Sequence, residues 1–299
     1  MGNLRLFVGM LILWVILLIP IDRYFFKKNA SFSIRFLYTC MPNRPEWDLP
    51  ILTSEQDGEL DTVLSQEFTY FAKGTHCYAF MSQDRKYIIK FHRYPSHMRI
   101  FPWLNHPFAY IFDKKRMRTK EYNLKRYDYF MSNYKSSFEN LREETGVFLL
   151  HINRTDHLKK MVTLVDKTAN RYRVSLDDVT FILQKRADLI YPTLEQFLAR
   201  KEKHKAEEAI SHILNLIVQS CQKGYVNKDP VLKRNYGLLE HCAMYIDIGD
   251  LMQSNEIKRP ENYIPHVKEV TADLRAWIAQ NHPELMDHYD KFILCLKNP

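Results

Sequence analysis

The sequence is poor in glycine. Eight glycines in 299 residues fall well below the roughly 7% of an average chain, and no two stand as G-x-G. A dinucleotide fingerprint and a Walker A loop both need closely spaced glycines so that backbone can approach phosphate; neither is present. Cysteine is sparse as well. Cys40, Cys77, Cys221, Cys242 and Cys295 are scattered and odd in number, with no C-x-x-C pair and no H-E-x-x-H. This argues against a disulfide scaffold and a standard structural zinc site. His76, His92, His97, His106 and His151 follow no metal-ligand spacing and read as loop or hydrogen-bonded polar residues. There is no internal repeat and no low-complexity tract.

What is present is the composition of a globular protein. Hydrophobic residues make up 46% and charged residues 26%, so disorder over most of the chain is excluded. The net charge is +8. A basic surface suits nucleic acid, anionic lipid or phosphorylated ligands, and it suits plain solvation equally. The basic residues are dispersed and no nucleic-acid motif occurs, so no nucleic-acid partner is expected.

The N-terminus carries the longest uncharged run, LFVGMLILWVILLIPI from Leu6 to Ile21. Sixteen residues is short against the ~20 of a usual span, and snorkelling of Arg5 and Arg23 extends it. A signal peptide would need small residues at a cleavage site, and Pro20 to Phe26 offers none. The expectation is a single-pass membrane anchor over residues 1–28. Arg23, Lys27, Lys28 and Arg35 follow it, so the positive-inside bias places the C-terminal body in the cytoplasm. The opposite orientation would present the sequons at Asn29 and Asn153 to a secretory compartment.

Three prolines within Cys40 to Pro50 give residues 29–50 the reading of a linker. Phe68 to Phe91 holds two β-rich runs around the polar turn Ser82 to Lys86, which predicts a hairpin. Met98 to Phe112 is aromatic and apolar, then basic at Lys114, Lys115, Arg116 and Arg118; it suits either core packing or a membrane interface. Residues 114–144 predict one or two helices. Val147 to Ile152, Met161 to Val165, Arg171 to Leu176 and Val179 to Leu183 predict strands. Ala209, Ile210, Ile213, Leu214, Ile217 and Cys221 recur at helical spacing over residues 205–223. Further helices are expected over 265–280 and 284–296. Strands followed by helices suggest an α+β protein of two lobes.

Three segments carry candidate chemistry. Ala72 to Phe80 forms a tight turn inside the β-rich region, followed by Lys90 in Tyr87-Ile88-Ile89-Lys90. Asn227-Lys228-Asp229 follows the long amphipathic helix, with Asn235 six residues beyond the aspartate. Tyr245 to Gly249 sets Asp247 between an apolar strand and a glycine.

In this order the segments resemble the protein kinase-like superfamily, over about Phe68 to Leu251. The resemblance implies a two-lobed fold with a β-rich N-lobe over residues 51–187, including an insert, and a mostly helical C-lobe over 188–299, after the transmembrane helix. By resemblance Ala72, Gly74 and Cys77 occupy the glycine-loop positions over the nucleotide, and Lys90 is the strand lysine that contacts its phosphates. Gln184 falls on the strand that receives adenine. Glu121, or else Glu139, is the helix acid that pairs with Lys90. Asp229 is the catalytic-loop aspartate, and Asn235 and Asp247 are the Mg2+ ligands. Asp247-Ile248-Gly249 stands for D-F-G, its glycine allowing a sharp turn. Asp229 and Asp247 lie 18 residues apart, a family-like separation. The residue types suit the chemistry: phosphoryl transfer needs charge neutralisation and in-line positioning, and Mg2+ prefers oxygen ligands.

The chain also differs from the family pattern. Gly74 alone remains of three loop glycines, Asn227-Lys228-Asp229 replaces His-Arg-Asp, and no Ala-Pro-Glu follows. The short tail is similar to small-molecule, lipid and atypical bacterial members. Two functions are compatible with this reading. One is an ATP- and Mg2+-dependent phosphotransferase acting on a hydroxyl of a lipid, glycan, small molecule or protein. The other is a membrane-tethered pseudokinase that binds a nucleotide or a partner.

Overall fold

The protein, seen in a computed structural model, is described over residues 26–39, 41–94 and 114–296, together with Phe7, Met10 and Tyr24. The chain divides into two compact units. The first comprises Met1–Ile111 with His151–Ile182, the second Phe112–Leu150 with Leu183–Pro299.

The first unit is built on β1 (Glu67–Lys73), β2 (Cys77–Ser82), β3 (Tyr87–His92), β5 (Met161–Val165) and β6 (Arg171–Ser175). With β4 (Val147–His151) and β7 (Phe181–Lys185), the strands in which the chain passes from one unit to the other, they form a seven-stranded sheet ordered β4-β7-β3-β2-β1-β5-β6. β1, β2 and β3 pair antiparallel, with Ala79 opposite Lys90, while β1 and β5 run parallel. Tyr78, Ala79 and Phe80 are all buried, as a central strand covered on both faces requires, which is why this run does not alternate. Helix α1 (Ser54–Leu64) starts at a capping box: Thr53 accepts from the Gln56 amide while the Gln56 side chain accepts from the Thr53 amide.

Residues 29–50, expected as a linker, contribute Phe32, Leu37, Met41 and Trp47 to this unit's core. Phe32 is 2% exposed and Trp47 3% exposed. The Phe32 ring lies edge-on to Tyr78, Phe80 and Tyr172 at centroid distances of 5.1, 5.3 and 5.8 Å. Prolines signalled an irregular backbone correctly, but the buried aromatics decide that it packs. Both sequon asparagines are also consumed. Asn29 Nδ2 donates to Asp166 at 2.8 Å, and Asn153 Nδ2 donates to the Arg44 carbonyl at 2.7 Å and to Asp48 at 2.6 Å.

The second unit contains helices α2 (Lys114–Asn140), α3 (Arg142–Thr145), α4 (Ile190–Ala199), α5 (Lys203–Gln222), α6 (Leu232–Asn235), α7 (Pro260–Val270), α8 (Ala272–Asn281) and α9 (Met286–Cys295). Between them run the short strands β8 (Asp188–Leu189), β9 (Tyr225–Asn227), β10 (Tyr236–Leu238), β11 (Ala243–Tyr245) and β12 (Leu251–Gln253). Helix α5 is the core of this unit, burying Ala209, Ile210, Ile213, Leu214, Ile217 and Cys221. It ends where Gly224 takes φ +86°, and a Cβ there would also meet the Lys258 side chain at 2.5 Å. The helix expected over 265–280 starts earlier, at Pro260, and is divided at Thr271, whose hydroxyl donates to the Val267 carbonyl at 2.6 Å.

Two expectations about architecture are corrected. The protein is mixed α/β rather than a strand half followed by a helical half, because short strands return through the second unit in a three-stranded sheet, β11-β10-β8, and a two-stranded one, β12-β9. Strands of two or three residues leave no readable alternation in a sequence. The expected transmembrane helix is not supported: among the described residues no helix is long and apolar enough to cross a membrane. The run 6–21 lies outside the described residues apart from Phe7 and Met10. The aromatic stretch 98–112 also lies outside the described residues.

Candidate functional site

Backbone pairing in the second unit sets two candidate loops side by side. Strand β9 pairs antiparallel with β12, Asn227 opposite Leu251, and β10 pairs with β11, Tyr236 opposite Tyr245. Main-chain bonds extend both ladders into the loops: Lys228 N donates to Asp250 O at 2.9 Å, and Ile246 N to Asn235 O at 2.8 Å. Asp229 and Asn235 lie in one loop, Asp247 and Asp250 in the other.

Asp229 is held from several directions. Its amide donates to Asn227 Oδ1 at 2.9 Å. Asn235 Nδ2 donates to the Asp229 carbonyl at 2.7 Å and to its Oδ2 at 2.9 Å. Arg234 Nη2 donates to Oδ1 at 3.0 Å and Oδ2 at 2.8 Å. The Arg234 hydrogen bond, helped by Asn235, holds the Asp229 carboxyl below the usual carboxylate range. Asn235 is buried, as its bridging role requires.

Asp247 is exposed, and its Oδ1 accepts from the Gly249 amide at 3.1 Å. Asp250, next in the chain, has its carboxyl pushed up by burial and then by the charges of Asp247 and Asp229. Asp250 thus lies in the field of the other two carboxylates. Helix α2 pins this loop: Asn133 Nδ2 donates to Gly249 O at 2.8 Å, and the Tyr129 hydroxyl lies 3.4 Å from Asp250 Oδ1. The turn reading of Gly249 is corrected here. Its backbone is not left-handed, and a Cβ would stand 3.0 Å from Phe130 and 3.2 Å from Tyr134. A side chain here would require the aromatic face of α2 to give by a few tenths of an ångström.

The remaining expected residues are placed as follows. Lys90 is half-buried on β3 of the first unit. Ala72 pairs opposite Ala79 and Lys73 opposite Tyr78, and Gly74 and Cys77 close the β1–β2 turn, where Gly74 N donates to Cys77 O at 2.9 Å. The Gly74 amide is thus spent inside the turn. Gln184 is not a ligand-facing side chain: it is 2% exposed, and its Nε2 donates to the carbonyls of Thr145 at 2.6 Å and Tyr245 at 2.7 Å. Burial with two carbonyl acceptors makes it a brace between α3 and β11. Glu121 falls within α2, and its side chain lies outside the described residues. Glu139 pairs with Lys135 at 3.7 Å along the same helix.

Arg234, Asp250 and Asn133 take part in this arrangement and carry no signal of their own in the sequence. Arg234 and Asp250 could have been suspected from direct adjacency to Asn235 and Gly249. Among the described residues no group of three or more His, Cys, Asp or Glu is arranged to hold a metal ion; the candidate cation ligands are a carboxylate and an amide. A cavity of about 340 Å³ in the second unit is lined by Glu144, His212, Gln219, His241 and Cys242, and none of the candidate residues lines it. No family model matches the chain, and no curated protein matches it either.

Proposed function

We propose that the protein is an ATP- and Mg2+-dependent phosphotransferase that moves the γ-phosphoryl group to a hydroxyl of its acceptor. The observation that carries this reading is the juxtaposition of Asp229, braced by Asn235, with the loop bearing Asp247 and Asp250. The strand pairing that sets these two acidic loops side by side supports a cation there, since a positive ion would offset their negative charge. Asp247 and Asn235 supply hard oxygen donors of the type Mg2+ takes. Bound there, Mg2+ would offset the charge of the nucleotide phosphates. Asp229 would orient the acceptor hydroxyl and take its proton as the acceptor oxygen bonds to the γ-phosphorus and the bond to the β-phosphate breaks. Lys90 enters the proposal through the family resemblance alone.

One contact favours a second reading. Arg234 occupies both carboxylate oxygens of Asp229, an arrangement that suits a nucleotide-binding module without turnover. A direct experiment separates the two. The full chain is assayed with Mg-ATP against a panel of hydroxyl acceptors, beside Asp229→Ala and Lys90→Ala. Phosphotransfer predicts that Asp229→Ala keeps nucleotide affinity within a few fold and lowers turnover by about 100-fold or more. Mg-ATP binding by the parent without turnover on any acceptor supports the binding module, and unchanged turnover in Asp229→Ala removes this aspartate from the mechanism.

A further inference from the structure

The contact between Arg234 and Asp229 has an unusual economy. Both hydrogen bonds leave from Nη2, at 3.0 and 2.8 Å. A guanidinium that meets a carboxylate at full strength uses two nitrogens, each with its own oxygen. Among the described residues Nη1 and Nε of Arg234 make no hydrogen bond to protein, and this exposed side chain offers them to solvent or a ligand. The side chains of the pair are 64% and 38% exposed, so solvent screens the attraction and little is lost when it breaks. Arg234 also lies in the field of Asp247 as well as that of Asp229. A cation with spare donors thus stands at the aspartate assigned to the acceptor hydroxyl, held by a contact that is easily exchanged.

The same contact occupies Asp229. Arg234 Nη2 and Asn235 Nδ2 between them make three hydrogen bonds to its two oxygens. Of the roughly four acceptor sites of a carboxylate, these bonds leave about one open, and the guanidinium shares the charge that would draw a hydroxyl proton. An oxyanion that engages two guanidinium nitrogens is a better partner for Arg234 than a carboxylate met through Nη2 alone.

We infer that the acceptor is a hydroxyl compound bearing an oxyanion, and that Arg234 transfers from Asp229 to that oxyanion when the acceptor binds. The inference rests on the phosphotransferase reading and deepens it by naming the acceptor class. Arg234 is then both a specificity residue and the guard of Asp229. Neutral acceptors would meet an occupied aspartate; anionic ones would empty it.

The test uses the full chain loaded with Mg-ADP and three probes that share a hydroxyl framework: glycerol, glycerate and glycerol 3-phosphate, titrated by calorimetry. At least one anionic probe should bind about tenfold or more tighter than glycerol, and Arg234→Gln should abolish the preference while leaving Mg-ADP affinity within about twofold. Arg234→Lys should restore part of it, because charge returns without the fork. Preference for the phosphate alone, or the carboxylate alone, identifies the oxyanion. Equal or absent binding of all three, or a preference that survives Arg234→Gln, overturns the inference while leaving phosphotransfer standing. Failure of the parent to bind Mg-ADP removes the phosphotransferase reading, and this inference falls with it.

Discussion

Asn235 bridges Asp229 through a single nitrogen: its Nδ2 donates to the main-chain carbonyl of Asp229 at 2.7 Å and to the carboxylate Oδ2 at 2.9 Å. One buried amide thereby fixes both the loop and the orientation of its acidic side chain. Asn235→Ala removes both donors and should cost about 1–3 kcal/mol of stability. Urea unfolding of parent and variant reads this directly, and an unchanged midpoint would mean that the bridge does not hold the loop.

Arg234 acts on the same carboxylate through charge. Because Asp229 titrates below its ordinary value of 3.8 in the folded protein, its stabilising effect is present above that value and is lost as pH falls through the folded pKa. Arg234→Gln should therefore lower the melting temperature slightly near about pH 6 and leave it unchanged below about pH 2. The difference should shrink at high salt, since the pair is exposed. A difference that persists in acid would assign it to packing rather than to the ion pair.

Asp250 carries the opposite sign. Burial and the charges of Asp247 and Asp229 raise its pKa in the folded protein. The unfolded chain then loses its proton more readily, so this group favours folding at low pH and opposes it once pH rises through the folded pKa. Asp250→Asn should raise the melting temperature at neutral pH by about 1–3 °C and give no gain near pH 3. Stabilisation of the same size at both pH values would contradict the electrostatic cause.

Two glycines make a paired prediction about packing. A Cβ on Gly249 would lie 3.0 Å from Phe130 and 3.2 Å from Tyr134, whereas a Cβ on Gly58, within α1, would meet nothing within 4 Å. Gly249→Ala should cost about 1–3 kcal/mol through displacement of these rings, while Gly58→Ala should stabilise by about 0.5–1 kcal/mol through helix propensity. Equal effects in denaturant melts would show that α2 yields to the loop.

The contrast between these two positions shows how far the sequence could be read. Local periodicity was legible: α5 was expected over residues 205–223 and spans Lys203–Gln222, and the turn at Ser82 to Lys86 joins β2 to β3. Long-range demands were not. Nothing near Gly249 in the chain announces Phe130 and Tyr134, more than a hundred residues away, and nothing near Phe32 announces its aromatic cage. Gln184 looked like a nucleotide-strand residue by position, and only its two buried carbonyl partners reveal a brace. In the candidate site, Asp229, Asn235 and Asp247 stand out through the family resemblance that their segments carry. Arg234 was passed over because an arginine in a basic chain has no signal until its partner is known.

In the phosphotransferase proposed above, Asp247 would hold a cation that carries the nucleotide phosphates. Isothermal titration of the full chain with ATP, in Mg2+ and in EDTA, tests it without requiring the acceptor. Binding should require Mg2+, weaken by about tenfold or more in Asp247→Asn, and stay within a few fold in Asp229→Ala. No Mg-dependent binding by the parent, or equal affinity in Asp247→Asn, would contradict the account.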